Sequence, residues 1–179
     1  AKQSLANAFL AILNPDDEVI VPNPYWVSYP ELIRLADGNP VFVESDERSS
    51  YKFTKENLEK VVTEKTKAII LNTPNNPTGT IYTREELIEI AEFAKKYDLI
   101  IISDEMYEKL IYDGEKHISI ASISNDAYER TIVINGLSKS YAMTGWRLGY
   151  CGATEKIAKL MTNIQSHMTS NVCSITQYA

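Results

Sequence analysis

Cysteine and histidine are scarce in this sequence, since its 179 residues include only two of each. Cys151 and Cys173 are too few for a disulfide framework and lack the spacing of a metal knuckle, so we expect two buried thiols. His117 and His167 show no metal-ligand spacing, and both are assigned to structure. No metal site is predicted.

Long apolar runs and basic clusters are missing as well. No apolar run approaches the roughly 20 residues that cross a bilayer, and the start shows no charged-then-apolar signal pattern, so we expect a cytoplasmic protein with no membrane partner. The net charge of −6, without a Lys/Arg-rich block, argues against nucleic acid as a partner. Neither a P-loop nor the glycine pattern of a dinucleotide-binding fold occurs.

What the sequence does contain is typical of one globular domain. Hydrophobic residues make up 44% and charged residues 23%. Short runs rich in Val and Ile alternate with amphipathic stretches, which predicts an α/β fold with a mostly parallel sheet sandwiched by helices. The predicted strands are residues 19–21, 41–43, 68–71, 99–102 and 131–134, and the predicted helices are 54–62, 83–97 with a capping box at its start, and a longer one after Thr154.

Polar residues follow three of these runs, where the carboxyl ends of parallel strands would meet at one edge of the sheet. They are residues 72–79, 103–107 and 135–139. Only seven residues separate Lys139 from Arg147, too few for the crossover of about a dozen that joins parallel strands. Residues 148–152 should therefore return antiparallel, with Arg147 at the same edge as Lys139.

These residue types suit a phosphorylated aldehyde with a pyridine ring. A lysine that attacks carbonyls must lose its proton near neutral pH, which burial and a neighbouring cation such as Arg147 favour. The arginine fork also suits a phosphate ester. The Asp104 carboxylate could hold a pyridine nitrogen protonated, while Tyr107 and the Asn76 amide could bind an oxygen on the ring.

Several segments together resemble one family. Residues 136–149 (GLSKSYAMTGWRLG) look like the pyridoxal-phosphate (PLP) attachment signature of class I aminotransferases. Residues 75–79 (NNPTG) and 104–107 (DEMY) resemble two further motifs of that family, in the expected order. Residues 24–30 (PYWVSYP) are similar to the bacterial aspartate aminotransferase branch. The resemblance covers essentially the whole chain and implies the large domain of the PLP-dependent transferase fold type I.

The resemblance implies a role for each residue around the cofactor ring. Lys139 is the catalytic lysine, which forms the Schiff base with the cofactor and carries the proton. Asp104 is the partner of the pyridinium nitrogen, and Tyr107 and Asn76 hold the ring oxygen. Trp26 stacks on the ring. Asn76 and Trp26 are also the implied substrate-binding residues.

At the phosphate end, the resemblance implies that Ser138 and Arg147 bind the phosphate together with the amides of Ala1 and Lys2. The two amides lie at a predicted helix start, where free N–H groups and the helix dipole favour anions. Some relatives have a serine where Gly136 stands here, so one hydroxyl contact with the phosphate is expected to be absent.

The implied reaction is a two-half, ping-pong transfer of an amino group from an L-amino acid, expected to be aspartate or glutamate, to 2-oxoglutarate. Residues 1–179 are expected to be the incomplete cofactor-binding domain of a longer homodimeric protein, without its small C-terminal domain, and to have weak activity or none alone. Two alternatives stay open: a PLP-dependent carbon–sulfur β-lyase of the same fold, and a non-catalytic sensor module, which a DNA-binding segment upstream of Ala1 would favour.

Overall fold

The computed structural model describes residues 1–178, which form a six-stranded sheet with helices on both faces. The strands are β1 (Glu18–Asn23), β2 (Asn39–Glu44), β3 (Thr66–Asn72), β4 (Ile100–Asp104), β5 (Thr131–Gly136) and β6 (Gly149–Gly152). The helices are α1 (Lys2–Ile12), α2 (Ser28–Leu35), α3 (Lys55–Glu59), α4 (Arg84–Lys96), α5 (Asn125–Arg130), α6 (Leu137–Ser140), α7 (Glu155–Met168) and α8 (Ser174–Tyr178).

The strand order across the sheet is β2-β1-β3-β4-β5-β6. The first five strands are parallel to their neighbours, whereas β6 pairs antiparallel with β5, with Gly149 opposite Gly136. Both the α/β prediction and the predicted antiparallel return are confirmed. The short connection between Lys139 and Arg147 turns the chain back at the edge where the parallel strands end.

Each face of the sheet has its own hydrophobic core, because successive side chains of a strand point to opposite faces. Ile69 and Leu71 of β3 pack in one cluster with Leu87 of α4, while Ile70 packs in the other with Phe9 of α1. All five side chains are fully buried. Burial of one such side chain is worth about 1.5–3 kcal/mol, so the strands form a rigid frame for the residues at their ends.

The predicted helices are present, with one error of length. The Thr83 hydroxyl accepts a hydrogen bond from the Glu86 amide at 3.3 Å, and the Glu86 carboxylate accepts one from the Thr83 amide at 2.7 Å, which confirms the capping box of α4. The helix predicted over 54–62 is shorter, because α3 ends at Glu59. Val61 and Val62 instead pack in a turn against the core, where β-branched side chains are accommodated better than in a helix.

Two expectations about burial are wrong. The segment 41–43 was expected to be buried on both faces, but β2 is an edge strand and only Val43 is buried. Cys151 and Cys173 are exposed rather than buried, since the former lies on the edge strand β6 and the latter follows α7. Among residues 1–178, no helix has the length and apolar character needed to cross a membrane.

Candidate active site

A cavity of about 370 Å³ lies at the carboxyl ends of the parallel strands, and the last residues of β3 and β4, Asn72 and Asp104, both line it. This is the edge where open α/β sheets bind ligands, and the volume is in the usual range of small-molecule sites. Every residue predicted from the sequence to bind cofactor or substrate lines this cavity: Ala1, Lys2, Trp26, Asn76, Asp104, Tyr107, Ser138, Lys139 and Arg147. The prediction missed other lining residues: Leu5, Tyr29, Asn72, Met106 and Thr144.

Asp104 is the buried acid of the cavity, with only 5% of its surface exposed. One carboxylate oxygen accepts a hydrogen bond from the Tyr29 hydroxyl at 2.6 Å, and the other accepts one from the Met106 amide at 3.2 Å. Burial raises the pKa of Asp104, and these two hydrogen bonds oppose that rise. Within residues 1–178 this carboxylate forms no salt bridge, so its charge is available to a ligand.

Asn72 connects the ends of two strands to the turn that follows β3. Its side-chain amide donates to the Asp104 carbonyl at 2.9 Å, and its side-chain oxygen accepts from the Asn76 amide at 2.8 Å. Asn76 in turn donates a long hydrogen bond of 3.4 Å to the Tyr107 hydroxyl. The side chains of Asn76 and Tyr107, which are predicted to bind the same oxygen of the ring, are thus adjacent. Asn72, only 2% exposed, holds the backbone of Asn76 in place.

Lys139 and Arg147 lie on the rim of the cavity, and both are exposed rather than buried. Lys139 belongs to the four-residue helix α6, and its ammonium nitrogen lies 5.9 Å from the centre of the Tyr107 ring. The Arg147 guanidinium donates to the Thr144 carbonyl at 2.8 Å, which uses one of its several N–H groups. Both residues therefore line the same cavity, without the burial of the lysine that favours loss of its proton.

The first turn of α1 forms another wall of the cavity. The helix begins at Lys2, and the residue before it, Ala1, has no side chain that could cap the free amides. Gly149 of β6 lies directly against this helix start, because an added Cβ would be 2.6 Å from the Ala1 Cα and closer still to its backbone nitrogen. Uncapped amides, the helix dipole and the nearby Arg147 together form an environment that favours an anion.

Trp26 is half-buried at the mouth of the cavity, three residues before Tyr29. The two rings meet edge to face, with centroids 5.4 Å apart and an angle of 85° between their planes. The Lys2 ammonium lies 5.0 Å from the centre of the Trp26 ring, within the range of a cation–π contact. The tryptophan ring is therefore held from two sides by other residues of the site.

His117 belongs to a separate buried cluster around Glu105, beside the cavity. One Glu105 oxygen accepts hydrogen bonds from Ser103 at 2.8 Å and Ser119 at 2.7 Å, and the other lies 2.8 Å from the His117 ring nitrogen. His117 therefore contacts a buried carboxylate, and its structural role stays a prediction. Ligand-type atoms of Glu105, Glu108 and His117 lie within 4.8 Å of one another, but the hydrogen bonds already satisfy the buried carboxylate.

Comparison with known proteins agrees with this geometry. Residues 1–179 match the family described as aminotransferase class I and II. The sequence is 54% identical over 178 residues to an aspartate aminotransferase of Bacillus subtilis, covering 99% of this chain and 45% of that protein. It is 48% identical over 179 residues to an asparagine–oxo-acid transaminase of Streptococcus mutans, covering 100% and 46%.

The fold matches the crystal structure of an aromatic aminotransferase from Pyrococcus horikoshii with a TM-score of 0.96 and 43% identity, covering 99% of this chain and 47% of that one. The chain spans about half the length of the curated relatives it matches. The sequence match covers all of the chain, and the structural match nearly all of it. This chain belongs to the class I and II aminotransferase family.

Proposed function

We propose that the full-length protein is a PLP-dependent aminotransferase that moves the amino group of an L-amino acid to a 2-oxo acid. The observation that carries the proposal is the convergence of the predicted residues on one cavity, although they lie in segments far apart in the sequence. A phosphorylated pyridine aldehyde requires an amine for its aldehyde carbon, a carboxylate for its ring nitrogen, and a guanidinium and free amides for its phosphate. The cavity brings these groups together. Residues 1–179 are, in this proposal, its cofactor-binding large domain.

The phosphate is assigned to the end of the cavity formed by the start of α1. There the Lys2 amide at the start of α1 has no side-chain cap, and Ser138 and Arg147 line the same cavity. Backbone N–H groups and a guanidinium bind phosphate oxygens through charge-assisted hydrogen bonds, which are stronger than neutral ones. The absence of a side chain at Gly149 supports this assignment, since it allows the helix start to approach β6.

The ring is assigned to the space between Asp104 and Trp26. The Asp104 carboxylate is buried and forms no salt bridge within residues 1–178, so a protonated ring nitrogen would satisfy it. When bound, PLP supplies an electron sink that stabilises a carbanion at the α-carbon of the substrate. Tyr107 and Asn76 then hold the ring oxygen, and Trp26 covers one face of the ring.

Lys139 is the proposed catalytic residue. In its neutral form the Lys139 amine would hold the cofactor covalently and, once free, would act as the base that takes a proton from the substrate α-carbon. Asn76, beside Tyr107, would also bind the substrate carboxylate, and Trp26 would border the substrate.

The proposed donor is aspartate or glutamate, and the proposed acceptor is 2-oxoglutarate. The name of the Bacillus subtilis relative, an aspartate aminotransferase, supports a dicarboxylic donor, whereas the Streptococcus mutans relative is named for asparagine. The proposal includes a homodimer in the cytoplasm, and light scattering of the purified full-length protein would test the dimer. The isolated 179-residue chain is expected to turn over weakly or not at all.

The test is to add PLP to the full-length protein, record its visible spectrum, reduce with borohydride and identify the labelled peptide. The label should be on Lys139, and Lys139→Ala should remove both the label and the transfer from aspartate to 2-oxoglutarate. Lys159→Ala is the matched control, because that lysine is 73% exposed on α7 and lies outside the cavity. A label on another lysine, or turnover of cystathionine but not of aspartate, would contradict the proposal.

A further inference from the structure

Tyr29 is a buried residue of the cavity to which the proposed function gives no role. It belongs to α2 and is only 1% exposed, yet it lines the cavity. Its hydroxyl donates a hydrogen bond of 2.6 Å to Asp104, which is 75 residues away in the sequence. Burial, with the neighbouring Asp104 charge, raises the pKa of Tyr29 well above its usual range. The hydroxyl therefore keeps its proton and acts as a donor.

Within residues 1–178, the Tyr29 hydroxyl is one of two protein donors to the Asp104 carboxylate. The Met106 amide holds one oxygen at 3.2 Å, and the Tyr29 hydroxyl holds the other at the shorter distance. A carboxylate with two fixed oxygens cannot rotate freely about its last side-chain bond. Both donors bind the same charged acceptor, and the shorter hydrogen bond from Tyr29 is the stronger constraint of the two on this orientation.

The same ring also supports Trp26. The edge of one ring meets the face of the other at a centroid distance of 5.4 Å, the arrangement that aromatic pairs prefer. One side chain of α2 therefore contacts both the acid assigned to the ring nitrogen and the aromatic residue assigned to the ring face. A tyrosine that only filled the core would need neither contact.

The geometry points to Tyr29 as a positioning residue that orients the Asp104 carboxylate and the Trp26 ring for the cofactor. This inference rests on the proposed function for its purpose. The hydrogen bond it depends on joins two side chains of the protein itself. It can therefore be tested separately from cofactor binding.

The experiment compares Tyr29→Phe with Tyr82→Phe in the full-length protein. Tyr29→Phe retains the ring and its contact with Trp26 and removes the hydroxyl. Tyr82 is a matched control, because it is also a buried tyrosine whose hydroxyl makes one hydrogen bond, accepted from the Phe53 amide at 3.2 Å, in the core on the other face of the sheet. The PLP dissociation constant is measured by absorbance. The protonation of Asp104 in the cofactor-free protein is followed by infrared spectroscopy, assigned by difference from Asp104→Asn.

We expect Tyr29→Phe to raise the PLP dissociation constant about tenfold, as for loss of a hydrogen bond to a charged group, with no such change in Tyr82→Phe. In the cofactor-free protein, Tyr29→Phe should raise the pKa of Asp104, because the hydroxyl stabilises the charged form.

Unchanged Asp104 protonation in Tyr29→Phe would overturn the inference, whatever happened to PLP affinity. The inference would equally fail if Tyr29→Phe lost only thermal stability, as Tyr82→Phe would. Failure of the wild-type protein to bind PLP would refute the proposed function instead, and the infrared titration would then decide the role of Tyr29 alone.

Discussion

The close approach of β6 to the start of α1 makes Gly149 the most informative position for substitution. An added Cβ would lie 2.6 Å from the Ala1 Cα and 3.1 Å from the Asn135 carbonyl oxygen, and both neighbours are backbone atoms that cannot rotate away. Ordinary contact begins at 3.4 Å, and the Ala1 nitrogen lies closer still than the Cα, so Gly149→Ala would push the helix start outwards by clearly more than about 0.8 Å. That displacement would move the uncapped amides of Ala1 and Lys2 away from the proposed phosphate position.

The expected cost follows from the strength of hydrogen bonds to charged groups. Loss of one such bond costs about 1.5–3 kcal/mol, which corresponds to roughly a 10- to 150-fold higher PLP dissociation constant. Absorbance titration of the full-length protein measures this directly. Pyridoxal without the phosphate should bind Gly149→Ala and wild type equally, because only the phosphate end is disturbed.

Gly152→Ala provides the control, because Gly152 lies on the same strand and an added Cβ there would meet no atom within 4 Å. It should bind PLP like the wild type. If Gly149→Ala bound PLP within twofold of Gly152→Ala while remaining folded by circular dichroism, the assignment of the phosphate to the start of α1 would be wrong. Equal losses for PLP and pyridoxal would also refute it, since the damage would then not be confined to the phosphate.

Three further predictions concern single side chains. Arg147→Ala should weaken PLP binding by about 1.5–3 kcal/mol, measured by the same titration, and affinity equal to wild type would exclude the guanidinium as a phosphate ligand. His117→Ala should lower the free energy of unfolding in urea by about 1–3 kcal/mol, because buried Glu105 loses a hydrogen-bond partner; an unchanged urea midpoint would contradict this. Burial raises the pKa of Asp104 on folding, so the folded protein holds this proton more tightly than the unfolded chain does. As the pH rises from the pKa of unfolded aspartate through the higher pKa of folded Asp104, the free energy of unfolding of the cofactor-free wild type should fall relative to that of Asp104→Asn. Urea denaturation measures this difference between the wild type and Asp104→Asn. A difference that does not change with pH would contradict the prediction that Asp104→Asn removes the cost of burying a charge.

Most of the architecture could be predicted from local patterns. Runs of Val and Ile indicate strands buried on both faces, and the capping box at Thr83 marks the start of α4, because both signals depend on neighbours within a few residues. The two wrong predictions arise where a local pattern does not show what surrounds the segment. The predicted helix over 54–62 stops at Glu59, and β2 is an edge strand, which its three-residue apolar run does not reveal.

The sequence by itself determined which chemical groups this protein has and at which edge of the sheet they would meet, since the carboxyl ends of parallel strands necessarily lie together. Only the tertiary structure decided how those groups are held. Tyr29 reaches Asp104 across 75 residues, Asn72 bridges β3 and β4, and Gly149 admits the start of α1. The physical reason is that such contacts depend on how helices pack on the sheet, and that packing is fixed by the two hydrophobic cores as a whole rather than by any short pattern.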